Sequence, residues 1–193
     1  MADEHPVLHH VNLKTTRMPE MIDWYTRVVG MEPSWIAPDA CWLTNDAANH
    51  RLAMLAVPGL SDDADKLAHT GLHHLAFEYS SYDALLGACA SLLEDGIRPH
   101  MVLDHGMTMS FYFVDPDGNS VELQADNFGD WSQSKEWMRT APEFAANPIG
   151  VPVDPEAMIA AWRDGDGADE LHRRAYAGEF APEGELDMRL PSS

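Results

Sequence analysis

Two histidine pairs and one glutamate stand out among the side chains that could carry chemistry. The pairs are His9-His10 and His73-His74, and Glu122 lies in the otherwise apolar segment SVELQ. An ionised glutamate on the inward face of a strand is costly unless it is paired or bound to a metal. Two imidazoles and one carboxylate, with coordination positions left open, are the ligand set of non-haem Fe(II) oxygenases. A lone histidine in a strand is more often an ordinary polar residue, so spacing alone leaves both interpretations open.

The two histidine pairs occupy the same place in an internal repeat. The segment VLHHVNLKTT near the start is echoed by GLHHLAFEYS from Gly71, and both patterns are typical of short strands. A helical pattern follows each one, and the two patterns end at Gly30 and Gly96. Ser80-Ser81 marks the start of the second. The repeat would bring His10 and His74 together by pseudo-symmetry.

The repeat predicts an α+β fold made of two tandem βαβββ modules. The helices are expected at about 19–29 and 82–94, and the later strands at 32–36, 41–44, 50–57, 98–103, 109–114 and 120–124. The modules, about 7–60 and 71–125, are expected to form one domain with a metal-binding cavity. Residues 126–193 form a C-terminal extension with two short helices, the second capped by Asp154 with Pro155 at its first position.

The composition limits the partners of the chain. Its 193 residues include 32 acidic and 12 basic ones, giving a formal net charge of -20, which repels nucleic acid and anionic membranes. A neutral small molecule is the better expectation for a substrate. No apolar run approaches the ~20 residues that cross a bilayer. Two cysteines and a start without a secretory signal favour a cytoplasmic protein.

The doubled unit, the HHVNL and HHLAF strands and the DPDGNSVEL ending resemble the vicinal oxygen chelate superfamily. This superfamily includes glyoxalase I, fosfomycin and bleomycin resistance proteins, and type I extradiol dioxygenases. The resemblance covers about residues 7–125, and its DPDGN-x-x-E signature does not choose among the members. It implies that His10, His74 and Glu122 bind the metal. Their neighbours His9 and His73 should then point away from it, because side chains alternate along a strand.

Several residues favour the ring-cleaving members of the superfamily. Glyoxalase I-like proteins supply a fourth ligand about where Met54 lies, and no carboxylate is present there. His50, Tyr112 and His105 resemble the acid–base and substrate-binding residues of extradiol dioxygenases, with Tyr112 ten residues before Glu122. Without the resemblance, His50 could cap a strand, Tyr112 could be a half-buried aromatic residue, and His105 could lie in an exposed turn.

The resemblance therefore implies Fe(II)-dependent extradiol (meta) cleavage of a catechol-type ring by O2, with Mn(II) as an alternative metal. In that reaction His50 would act as an acid, while Tyr112 and His105 would hydrogen-bond the substrate. The alternatives are another metal-dependent enzyme of the superfamily (glyoxalase, epimerase or thiol transferase) or a non-catalytic ligand-sequestering resistance protein. We also expect a homo-oligomer. The apolar residues of the extension either cover the cavity or pack between subunits: Phe128, Trp131, Trp137, Met138 and Phe144.

Overall fold

The structure is a computed structural model, and it describes residues 5–191. Its described residues fall into two compact units: 5–66 with Asp115–Gly118, and 67–114 with 119–191. Each unit contains one β-sheet and a helix that packs on it. Within the described range, every helix is too short or too polar to cross a bilayer.

The elements follow the order that the repeat predicts, with an added C-terminal part. The first set is β1 (Val11–Lys14), α1 (Met18–Val29), β2 (Glu32–Ile36), β3 (Ala40–Thr44) and β4 (Leu52–Leu55). The second set is β5 (His74–Glu78), α2 (Tyr82–Glu94), β6 (Met101–Asp104), β7 (Thr108–Val114) and β8 (Ser120–Asp126). The extension contains α3 (Trp131–Thr140), α4 (Pro142–Ala146), β9 (Val151–Pro152), α5 (Pro155–Arg163) and α6 (Ala168–Tyr176).

The two sheets have the same strand order. It is β1-β4-β3-β2 in the first unit and β5-β8-β7-β6 in the second, where β9 adds a further edge strand. In both, the first strand runs parallel to the last strand of its module, and the other pairs are antiparallel. The α+β class and the duplicated arrangement are confirmed.

One face of each sheet forms the apolar core beneath its helix. In the first unit these strand residues are Leu13, Cys41, Leu43, Leu52 and Met54, and α1 buries Met21, Tyr25 and Val28. In the second unit they are Leu75, Met109, Phe111, Phe113, Val121 and Leu123, and α2 buries Leu85, Leu86 and Cys89. Because side chains alternate along a strand, the residues between them point to the opposite face.

The element boundaries differ from expectation at informative places. Strand β6 begins at Met101 rather than near residue 98, because Pro99 has no N–H to donate to a ladder. Strand β4 covers only Leu52–Leu55, so His50 lies just before it. The expected caps are present: Ser81 accepts from the Ala84 amide and Asp154 from the Ala157 amide.

The extension holds more structure than the two short helices that we expected. Helices α4 and α6 and strand β9 were missed. The sequence contains an indication of helix α6: the apolar residues Leu171 and Ala175 lie four residues apart, on one helix face, and both are fully buried. Acidic residues in its first turn and arginines in its last turn also suit the helix dipole.

Candidate functional site

The second sheet presents a polar face opposite its apolar core. In the strand register, Ala76 pairs with Glu122, Glu122 with Tyr112, and Tyr112 with Met101. These side chains form one row across the sheet, and His74 lies two residues before Ala76 on the same face. Glu122 is 5% exposed, so this carboxylate is held inside the protein.

His74 and Glu122 form the closest pair of candidate ligands. His74 Nε2 lies 3.1 Å from Glu122 Oε2. Burial raises the pKa of Glu122, but hydrogen bonds from His74 and from the fully buried Ser110 outweigh it and hold that pKa below its usual value. The carboxylate is therefore ionised near neutral pH, as a metal ligand must be.

Tyr112 and His105 extend this group along the same face. His105 Nε2 lies 2.8 Å from the Tyr112 hydroxyl, which also forms a hydrogen bond with Glu122. Burial and the neighbouring charge of Glu122 raise the pKa of Tyr112, so the phenol keeps its proton. The hydroxyl has a single proton, so it can donate to either His105 Nε2 or the Glu122 carboxylate, but not to both at once.

The ring of His105 is held in one orientation by the extension. Burial lowers the pKa of His105, against the opposing effects of the Glu122 charge and a hydrogen bond to the backbone carbonyl of Ile149. Because Nε2 faces Tyr112, the nitrogen that donates to Ile149 is Nδ1. The neutral ring then carries its proton on Nδ1 and offers Nε2 as an acceptor.

The turn that carries His105 is shaped by helix α3. Gly106 has φ +87°, in the left-handed region, and a Cβ there would overlap the Trp137 ring. Trp137 in turn contacts Phe128, Phe144 and Tyr176. Trp137 and Phe144 are thus partly buried near the turn, whereas other apolar residues of the extension stay exposed: Phe128, Trp131 and Met138.

A buried carboxylate stabilises the other side of this turn. Asp104 is fully buried and accepts hydrogen bonds from the Gly106 amide at 2.8 Å and from Asn127 Nδ2 at 3.2 Å. A third partner is His172 of α6, whose Nδ1 lies 2.7 Å away. Sequence reasoning missed Asp104, Asn127 and His172, because their partners lie far apart in the chain. Ser110 could have been found, since Thr108, Ser110 and Tyr112 alternate with apolar residues.

The first unit contributes a cluster of histidines. Nitrogens of His9, His10 and His50 lie within 4.8 Å of one another, a spacing at which three imidazoles can hold one metal ion. Burial, followed by the charges of His10 and His9, lowers the pKa of His50. The structure thus brings His10 to His50 in one unit, and His74, Glu122, Tyr112 and His105 together in the other.

The neighbours of the two proposed histidine ligands lie closer than the alternation rule suggests. His9 Nδ1 lies 3.2 Å from His10 Nδ1, and His73 Nδ1 lies 2.8 Å from His74 Nδ1. Strict alternation does not govern His9 and His10, because both precede strand β1. That His9 and His73 point away from a bound metal stays a prediction.

The register corrects one position in the sequence analysis. Asn12 pairs with Ala53, as Ala76 pairs with Glu122, so Ala53 and not Met54 is the counterpart of Glu122. Met54 belongs to the apolar face and is fully buried, whereas Ala53 lies on the opposite face. The fourth ligand of a glyoxalase I-like site is still missing, because neither position offers a carboxylate.

The fold and these side chains agree with the comparisons with known proteins. The model of the Glyoxalase/Bleomycin resistance protein/Dioxygenase superfamily matches residues 7–123. The chain belongs to this superfamily. A solved structure of the same fold, lactoylglutathione lyase from Agrobacterium tumefaciens, has a TM-score of 0.51 at 16% identity. The matched region covers 64% of this chain and 96% of that protein, and this similarity shows the fold alone.

Two superfamily relatives are similar over almost the whole chain. Biphenyl-2,3-diol 1,2-dioxygenase 2 from Rhodococcus globerulus is 36% identical over 178 residues, 92% of this chain and 93% of that protein. Biphenyl-2,3-diol 1,2-dioxygenase 3 from the same organism is 37% identical over 172 residues, 89% of this chain and 90% of that protein. These alignments are too long to stop at residue 123, so they include most of the C-terminal extension.

Proposed function

We propose that this protein is an Fe(II)-dependent extradiol dioxygenase that opens catechol-type rings with both atoms of O2. The observation that carries the proposal is the buried row of Glu122 and Tyr112, with His74 and His105 hydrogen-bonded to it. Similarity to two biphenyl-2,3-diol 1,2-dioxygenases over about nine-tenths of each protein supports it.

The proposed metal ligands are His10, His74 and Glu122. Two ligand atoms at ~2.1 Å from one ion and at right angles to each other lie about 3 Å apart. The separation of 3.1 Å between His74 Nε2 and Glu122 Oε2 fits this requirement. Two imidazoles and a carboxylate suit Fe(II), and Mn(II) fits the same donors.

The chemistry that the bound metal supplies is simultaneous coordination of catechol and O2 and the electronic coupling between them. The protein supplies orientation and proton handling. We propose that Tyr112 and His105 hydrogen-bond the substrate oxygen nearest to them. His50, whose pKa is lowered so that its ring is neutral, could accept the proton of a catechol hydroxyl and later return that proton to an oxygen of the product.

The alternative enzyme classes are less well supported. A four-ligand glyoxalase-type site needs a second carboxylate at the counterpart of Glu122, which is Ala53. A ligand-sequestering protein has no need for an ionised glutamate that is held inside the sheet by hydrogen bonds. A neutral catechol also suits a chain with a net charge of -20 better than an anionic substrate does.

The test is anaerobic loading of the protein with Fe(II), followed by O2 and a panel of catechols. We expect yellow ring-opened products from wild-type protein and from the His69→Ala control, which replaces an exposed histidine outside the site. His74→Ala should abolish them and lower the iron content. Ring cleavage at wild-type rate by His74→Ala, or none by wild-type protein with bound iron, would contradict the proposal. Light scattering in the same preparation would test the proposed homo-oligomer.

A further inference from the structure

The last described residues form a strap across the polar face of the second sheet. We define this C-terminal strap as residues 185–190, which have no helix or strand. Two histidines bind its backbone: His100 Nδ1 lies 2.9 Å from the Asp187 carbonyl oxygen, and His73 Nε2 lies 3.0 Å from that of Met188. His100 is itself held by Ser120, whose Oγ lies 2.9 Å from its Nε2.

A backbone irregularity supports a defined path for the strap. Arg189 has φ +51°, the only positive value of a non-glycine residue in the described range. Such a conformation costs free energy and persists where the surroundings impose it. The Arg189 amide donates to Asp187 Oδ1 at 3.0 Å, which closes a turn with Met188 at its centre.

The strap places two apolar side chains beside the candidate site. Leu186 and Met188 pack against a buried cluster of Met101, Leu103 and Tyr112. Met101 and Tyr112 belong to the same row as Glu122, on the same face of the sheet. The strap therefore provides an apolar surface next to the residue that we propose to bind the substrate oxygen.

The chemistry of this surface defines what it can accept. A thioether and a leucine side chain have no polar group to offer a ligand, and methionine adapts its shape to irregular neighbours. The acidic side chains Glu185 and Asp187 of the strap are exposed and would repel a negatively charged ring substituent. An uncharged, apolar substituent is the chemical class that fits.

We propose that Leu186 and Met188 of the C-terminal strap form a wall of the substrate pocket and that Met188 determines which ring substituent is accepted. This inference rests on the proposed function, because it places the catechol ring over Tyr112. It assigns a specificity role to a segment beyond residue 123, where the superfamily model ends.

The test compares kcat/KM for catechol and for 2,3-dihydroxybiphenyl in three variants. Met188→Ala widens the pocket and should raise the preference for the biphenyl substrate by about tenfold, whereas Met188→Trp should lower it by about tenfold. These sizes follow from the roughly 10–200-fold discrimination that one methylene gives in an apolar pocket. Leu190→Ala is the matched control, because Leu190 belongs to the strap but is 56% exposed. Its substrate ratio should equal that of wild-type protein.

A binding experiment separates failure of this inference from failure of the proposed function. The two catechols would compete anaerobically with 4-nitrocatechol, whose absorbance changes on binding to the Fe(II)-loaded protein. Suppose that wild-type protein cleaves catechols but that both Met188 variants have the same cleavage ratio and affinity ratio as wild-type protein. The wall is then disproved and ring cleavage stands. If no catechol is cleaved but the affinity ratio shifts as described, the wall stands and the proposed reaction fails. Absence of both binding and cleavage would overturn both.

Hydrogen–deuterium exchange would show that each variant keeps the strap in place. In Met188→Trp and Leu190→Ala, the amides of the strap should exchange at the same rates as in wild-type protein. If Met188→Ala loosens the strap, Met188→Leu replaces it as the second variant. Leucine has a similar volume, so Met188→Leu should keep the wild-type substrate ratio to within about twofold. A tenfold change in this variant would contradict a role based on size.

Discussion

The two sheets share a strand order but carry different chemistry on their polar faces. In the second sheet the central row contains Glu122 and Tyr112, and in the first sheet the same positions hold Ala53 and Trp42. The first unit instead contributes imidazoles from the residues just before its strands, His10 and His50. A duplicated scaffold thus keeps one strand order while its two units carry different groups: a cluster of imidazoles in the first unit, and a carboxylate and a phenol in the second.

The largest effect is expected when the second sheet is made to look like the first. Glu122→Ala reproduces Ala53 and removes the proposed carboxylate ligand. Metal catalysis supplies several kcal/mol and each 1.36 kcal/mol is tenfold in rate, so activity should fall by at least ~10³-fold. Turnover and bound iron should be measured together, with Glu78→Ala, an exposed residue of β5, as the control. Unchanged iron and turnover in Glu122→Ala would refute its role.

Removal of the proposed acid–base group, His50, from the first unit should have the next largest effect. His50→Ala should retain iron and bind catechols, yet turn over ~10²–10⁴-fold more slowly, since it loses a proton donor and not a ligand. His9→Ala tests the neighbouring ring of the same cluster and should leave iron content and rate unchanged. Loss of iron from His50→Ala, or its full activity, would exclude the assigned role.

A third prediction concerns the extension, for which the first unit has no counterpart. Gly106→Ala should destabilise the protein by about 1–3 kcal/mol, because the position combines positive φ with close contact to Trp137. The shifted turn should also displace His105 and reduce kcat. Urea unfolding and kinetics would measure both effects, with Gly71→Ala as control, since a Cβ at Gly71 meets no atom within 4 Å. A stable variant with normal kcat would show that the turn does not depend on this glycine.

Replacing the phenol of the second sheet should have a milder effect. Tyr112→Phe keeps the ring and removes one hydrogen bond, worth about 0.5–1.5 kcal/mol. This corresponds to roughly 2–13-fold in kcat/KM for catechol. Tyr79→Phe, which changes a partly buried tyrosine outside the row, is the control. A loss as large as that of Glu122→Ala would mean that Tyr112 does more than donate a hydrogen bond.

The smallest effect concerns stability against pH in the metal-free protein. Burial holds the pKa of His105 below its ordinary value of about 6.5. As pH falls through that value, the unfolded chain binds a proton that the folded chain does not, so the free energy of unfolding decreases. His105→Asn should flatten this decrease between about pH 7 and 5. Equal slopes for wild-type protein and His105→Asn would contradict a buried neutral His105.

The sequence predicted those parts of the fold and the site that depend on local pattern or on the repeat. The repeat indicated both modules, and caps such as Ser81 and Asp154 marked the starts of two helices. The sequence of the segment HRLAMLAVP placed the counterpart of Glu122 at about Met54, one residue late. Only the pairing of β1 with β4 identifies Ala53.

Contacts between distant segments could not be predicted from local pattern. The hydrogen bond of His105 to Ile149 and that of Asp104 to His172 join residues 44 and 68 positions apart. The position of the strap could not be predicted, because no periodicity in the segment indicates that Met188 packs against the cluster of Met101, Leu103 and Tyr112. Such packing depends on the assembled sheet and not on the propensity of the segment.

The most direct test of this account is a crystal structure of the Fe(II)-loaded protein with the iron located by anomalous scattering. We predict one iron per chain, bound by His10, His74 and Glu122 at ~2.0–2.2 Å, with His9 and His73 outside its coordination sphere. Iron bound by His9, His10 and His50 alone, or a Glu122 carboxylate turned away from it, would contradict the proposed centre.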